Sequence, residues 1–242
     1  MSLSGETNPR RIVVAYSSGT LPTMLERSLG YLAIGPDDEL RGLFIEDSDL
    51  LNAAALPFTF EFCSVTSVRR PIDRAQVESS LRRAAAAAER DLARLAAATG
   101  MTWHFDVVRD KRHAALGALL QMTDAIFVAP QPGSAAPIAG GSAPVVALVD
   151  ASAAGVRALT LARAVAAAER APLEVHRADD GAVPAAGDQA GNTRSSSANP
   201  LARLSQRPAA RLAVVAVTRL AHADHTLPEI CATSMSPLVI VG

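Results

Sequence analysis

The chain has 242 residues, enough for one large α/β domain or two modest ones with a proper core. With 49% hydrophobic and 19% charged residues it belongs among folded globular chains, which excludes wholesale disorder. Its 23 basic and 24 acidic side chains sum to a net charge of -1, which leaves no general electrostatic footprint for nucleic acid or for an anionic membrane.

Ile12 to Tyr16 is a short β-rich run that breaks at SSG before LPTMLERSLGYLA. There Leu21, Met24, Leu25, Leu29 and Leu32 recur at helical spacing, so a strand is predicted to feed a helix through a tight turn. ELRGLFIEDSDLL carries a second strand cored on Leu40 to Ile45, and ALPFTFEFCSVTSVRRP, which has no clean period, is expected to be a surface excursion. The clearest helix is predicted from about Ala75 to Thr99. Asp73 and Gln76 form a capping-box pair, Gly100 stands where a left-handed residue ends a helix, and Val77, Leu81, Ala85, Ala88, Leu92 and Leu95 share one face. The third strand, TWHFDVVR, alternates Trp103, Phe105 and Val107 with His104 and Asp106, the pattern of one buried face near a sheet edge. HAALGALLQMT is a short helix, and DAIFVAP is a fourth strand with no alternation, as in strands covered on both faces of a parallel sheet.

This β-α-β-α-β-α-β order predicts an α/β fold with a doubly wound parallel sheet. After QPGSAAPIAGGSA the pattern restarts: Pro144 to Val149 as a strand, Ala153 to Arg170 as an Ala-rich helix, and PLEVHRA as another strand. Residues 179–200 have the Gly, Ser, Asn and Pro content of a flexible loop. RLAVVAVT then supplies a buried strand, LPEICATS a short helix, and PLVIVG a last strand. No run approaches the about 18 apolar residues of a membrane span, and the polar opening MSLSGETNPRR lacks a secretory core, so a cytoplasmic location is expected. Cys63 and Cys231 are too few and too isolated for a disulfide framework or paired zinc ligands.

The two openings RIVVAYSSGT and PVVALVDASAAG, the acidic turn after the second strand, the long helix before the third, and the apolar fourth strand running into a Gly-Ser loop together resemble the universal stress protein family. The resemblance implies two doubly wound repeats of adenine nucleotide alpha hydrolase-like fold, 10–142 and 143–242, the second shortened where 179–200 replaces its long helix and third strand. It also implies where a nucleotide such as ATP or AMP would sit. In nucleotide-binding members an aspartate ending strand one holds the adenine side, and a G-x-x-G, spacer, G-S/T loop after strand four holds ribose and phosphates.

Carried onto this chain, each repeat keeps one half of that site. In the first, Ser17 occupies the aspartate position and Pro130 that of the first glycine, while Gly133, Gly141 and Ser142 remain with a shorter spacer. In the second, Asp150 and Ser152 preserve the D-x-S turn, but the strand AVVAVT is followed by RLAHADH, with no glycine. A phosphate loop works through close backbone N–H groups and a following helix N-terminus, whereas Gly140, Gly141 and Ser142 run almost directly into Pro144 and a strand.

Plainer roles compete for the same residues. Asp150 can cap a helix, the GSAAPIAGGS stretch can be a linker, and Glu46, Asp47 and Asp49 can be a solvated strand end without calcium-loop spacing. His222, Asp224 and His225 lack a third zinc ligand, so no metal is expected. There is no G-x-S-x-G elbow and no catalytic-cysteine signature, so no catalytic residue is assigned. The expectation is a non-enzymatic stress-response regulatory or binding protein with a degenerate nucleotide site. The alternative is an ATP- or AMP-binding member with at most weak hydrolysis. Pro237 to Val241, apolar on both faces, is expected either to pair across the junction between repeats or, as the favoured outcome, to self-pair in a homodimer.

Overall fold

The apolar runs become the strands of one sheet. The computed structural model describes residues 10–17, 23–32, 37–63, 67–120, 123–129, 143–177, 210, 212–216 and 236–242. The elements up to the third helix are β1 (Arg11–Tyr16), α1 (Thr23–Gly30), β2 (Glu39–Asp47), α2 (Ser48–Ala55), β3 (Phe60–Cys63), β4 (Val68–Pro71) and α3 (Arg74–Thr99). Then follow β5 (Thr102–Asp110), α4 (Arg112–Leu120), β6 (Ala125–Val128), β7 (Val145–Val149), α5 (Ala153–Ala168), β8 (Leu173–Arg177), β9 (Leu212–Ala216) and β10 (Leu238–Val241).

Eight strands form the sheet in the order β5-β2-β1-β6-β10-β9-β7-β8. All neighbours are parallel except β6 and β10, so the fold is α/β with a mostly parallel central sheet, as predicted. The single antiparallel junction has a geometric consequence. β1, β2, β5 and β6 point one way and β7 to β10 the other, so the carboxyl ends of the two groups lie at opposite ends of the sheet.

Both faces are covered. Ile12, Val14 and Tyr16 of β1 face a core built with Leu29 of α1, Leu92 and Leu95 of α3, and Leu161 and Val165 of α5. Val13 and Ala15 face the other core, with Ala115 and Leu116 of α4. Residues two apart on a strand share a face, and a strand buried on both faces cannot alternate, which explains the continuous apolar runs at β1, β6, β7, β9 and β10. The helices approach closely because small residues line them. On α5, Ala154, Ala158, Ala162 and Ala166 repeat at four-residue spacing and are all buried. On β2, a side chain at Gly42 would stand 2.7 Å from both Leu92 and Phe105.

The end signals of α3 work as predicted. Asp73 accepts the Ala75 N–H, and Gly100 closes the helix at φ 71, a left-handed conformation that costs glycine nothing. The end of the second predicted strand and the surface excursion after it both hold further elements. Asp47 caps a helix, α2, that continues the β2 run without a break, and β3 and β4 then form an antiparallel hairpin. The hairpin and the turn before it are on the surface, as expected: Leu56 and Phe58 of the turn and Phe62 of β3 are exposed, and the Arg69 guanidinium lies 3.9 Å from the Phe60 ring centre. The predicted loop at 179–200 and helix at LPEICATS lie outside the described residues.

β10 corrects the expectation of self-pairing. It lies inside the sheet, antiparallel to β6 on one side and parallel to β9 on the other, and is buried along its whole length. Both of its hydrogen-bonding edges are filled within the chain, so it has none left for the same strand of a second molecule. It pairs instead with β6 and β9 of its own chain, because an all-apolar strand loses most apolar exposure at the centre.

Candidate functional site

In open parallel sheets ligands bind at the carboxyl ends of strands, where the strand order reverses. Here the order reverses twice, between β1 and β6 and between β7 and β9. The first crevice begins with Ser17 and Ala129, the second with Asp150.

At the second, the D-x-S turn is locked by its own residues. Asp150 is only 7% exposed. Its Oδ1 accepts the Ser152 backbone N–H at 3.0 Å and a short hydrogen bond from the Ser152 hydroxyl. Ser152 Oγ in turn accepts the Gly155 N–H at 3.0 Å and is the N-cap of α5. Gly155 permits this: a Cβ there would lie 2.1 Å from the Asp150 carbonyl oxygen and 2.7 Å from Oδ1. Serine is therefore the cap, and the aspartate holds the serine. The capping role weighed for Asp150 in the sequence belongs to its neighbour.

At the first crevice Ser17 is half-buried. Residues that no motif marks supply polar structure beside it. Tyr16, fully buried at the end of β1, directs its hydroxyl towards Asp91 of α3 at 3.5 Å. Asp91 pairs with Arg94 at 2.7 Å, and Arg94 also bonds Glu26 of α1 through a short contact. Burial, and next the Asp91 carboxylate, push the Tyr16 phenol above its ordinary pKa, so it stays a neutral hydroxyl. On the opposite face Arg112, also buried, donates to the Ala129 carbonyl just past β6 at 2.7 Å. That bond ties α4 to the end of the strand.

Gly133, Gly141 and Ser142 lie outside the described residues, as do His222, Asp224 and His225. Their flanks are described and decide one question of geometry. Val128 is level with Leu238, Leu238 with Ala213, and Ala213 with Val146, so β7 starts at the level where β6 ends. Ala129 and Pro144 thus both stand at the first crevice's end, whereas Asp150 lies at the far end of the five-residue β7. Five residues of strand span about 16 Å, and the three strand spacings between β6 and β7 about 14 Å, so Asp150 and Ala129 are roughly 20 Å apart.

The acidic turn after β2 is engaged in ion pairs and a cap. Glu46 pairs with Arg109 at 2.8 Å, Lys111 approaches Asp49 at 3.8 Å, and Asp47 caps α2. Among the described residues no group of three His, Cys, Asp or Glu is placed to hold a metal, and no helix is long and apolar enough to cross a membrane. The sequence matches no protein-family model and no curated protein.

Proposed function

We propose that the chain is a non-enzymatic regulatory or binding protein of the universal stress protein type, built from two degenerate repeats, in which neither crevice retains a working ATP site. The observation that supports this reading is that Ala129 and Pro144, the described residues flanking the glycine-bearing segment, stand at the opposite end of the sheet from Asp150. Asp150 and Ser152 belong to one end of the sheet, and Ala129 and Pro144 to the other. A nucleotide spanning adenine contact and phosphate loop needs both around one crevice. The Asp150 Oδ1 is moreover committed to Ser152, so recruiting it for a base would undo the cap of α5.

The inside pairing of β10 fits the same reading: the first repeat contributes four strands, and the closing strand of the second serves both. The test is calorimetry with Mg-ATP and with AMP on the full chain, alongside assay of adenine nucleotide released when purified protein is denatured. The expected result is neither micromolar binding nor stoichiometric release. Micromolar affinity at one site requires about -8 kcal/mol and would overturn the proposal in favour of the nucleotide-binding alternative. In that event Asp150→Ala and Gly141→Val would show which crevice supplies the contacts.

A further inference from the structure

We propose that β5 is a self-association edge, pairing antiparallel with β5 of a second copy in the register that sets Phe105 opposite Phe105. Among the described residues β5 is the outermost strand beyond β2, and it is nine residues long. It carries no proline, and much of it is open to solvent: Trp103 is 37% and Val107 50% exposed, and the His104 and Asp106 side chains 70% and 45%. A long unprotected edge is a template for another strand.

Charges commonly guard such edges by repelling a like copy. Here they select a register instead. Two copies related by a two-fold axis through the sheet must pair residues that share a face, so the candidate registers differ by whole two-residue steps. Centring on Asp106 sets carboxylate against carboxylate, and centring on His104 sets imidazole against imidazole. Centring on Phe105 sets His104 against Asp106 twice, on one face, and Trp103 against Val107 twice, on the other. Both are favourable cross-strand pairs, charge-complementary on one side and aromatic with β-branched on the other. An imidazole in either protonation state can donate to a carboxylate.

The neighbouring charges extend the pattern. Within the chain Asp106 is bonded by Arg41 at 2.7 Å, and His104 lies 3.7 Å from Glu39. The pairing would therefore give the run Arg41, Asp106, then His104 and Glu39 of the second copy, with donors and acceptors alternating. Behind it, Phe105 is held against the Tyr16 ring, at 6.3 Å between centres, so the strand is fixed before it meets a partner.

The first test is sedimentation equilibrium of the full chain from about 1 to 200 µM, the micromolar range suited to a small edge interface. The 25.1 kDa species should shift towards twice its mass with rising concentration. His104→Glu, which sets Glu against Asp106 of the second copy, should weaken association at least tenfold while the far-ultraviolet circular dichroism stays that of the folded chain. A chain that stays monomeric throughout, or a His104→Glu variant that dimerises as well as wild type, would overturn the proposal. Register is read by oxidation in a Cys63→Ser, Cys231→Ser background. The His104→Cys, Asp106→Cys pair should give interchain disulfide dimers, and either cysteine alone should not. Equal cross-linking by either single cysteine would reject this register.

Discussion

At the end of β7 the aspartate and serine of the turn bond to each other and to the first turn of α5, whereas at the end of β1 the buried hydroxyl reaches to a helix 75 residues away. The first arrangement is local and stiff. Asp150, Ser152 and Gly155 set one another's positions through short bonds and a missing Cβ. The second is assembled by tertiary packing, through a single long contact from Tyr16 to the Asp91, Arg94 and Glu26 cluster. Two openings with similar sequences thus differ in what holds them, and mutations should separate them by size.

Gly155→Val should have the largest effect. The new side chain would meet backbone as well as the Asp150 carboxylate, so relief requires moving α5 off β7. A loss of about 3 kcal/mol, the upper end for overpacking, is expected in urea denaturation. A loss below about 1 kcal/mol would mean that the turn is softer than described. Ser152→Ala should cost about 1 to 2 kcal/mol, because the cap is lost and Asp150 keeps only a backbone donor among these bonds. Ser152→Gly should restore little, since glycine replaces the cap conformation but not the hydroxyl. A fully restored melting temperature would show that conformation alone matters.

At the other opening Tyr16→Phe should cost only about 0.5 kcal/mol near neutral pH, as expected for one weak hydrogen bond. Its signature is in the alkaline range. The raised phenol pKa means that the fold favours the neutral hydroxyl, so this contribution is complete below about pH 10, the unfolded value, and falls as pH rises towards the native one. Wild type should therefore lose stability above pH 10 more steeply than Tyr16→Phe. Identical slopes would place the hydroxyl in water.

The sequence exposes the locally held opening and hides the other for one reason. A D-x-S turn and a glycine three residues on are contiguous, so their chemistry can be read as a string. Tyr16, Asp91 and Arg112 are marked by nothing nearby, because burial and partnership come from packing. The same holds for the fold. Strands buried on both faces show as unbroken apolar runs, and α3 declares both ends through Asp73 and Gly100. The helix α2 was hidden because it starts directly at the end of β2, with Asp47 serving as the last residue of one and the cap of the other. The neighbours of β10 were equally hidden, since an apolar strand says that it is covered and not by what.

That central position also sets an order of events. β10 comes after every other described strand in sequence and yet is wedged between β6 and β9, so neither group of strands can complete its buried edge until residues 238–241 have been made. Until then β6 and β9 present bare apolar borders, both buried along their whole length in the finished sheet. Such a topology has a high contact order, folds slowly, and leaves an incomplete chain prone to aggregate. On the ribosome, the nascent polypeptide would wait with its sheet in two pieces for the closing segment to zip them together.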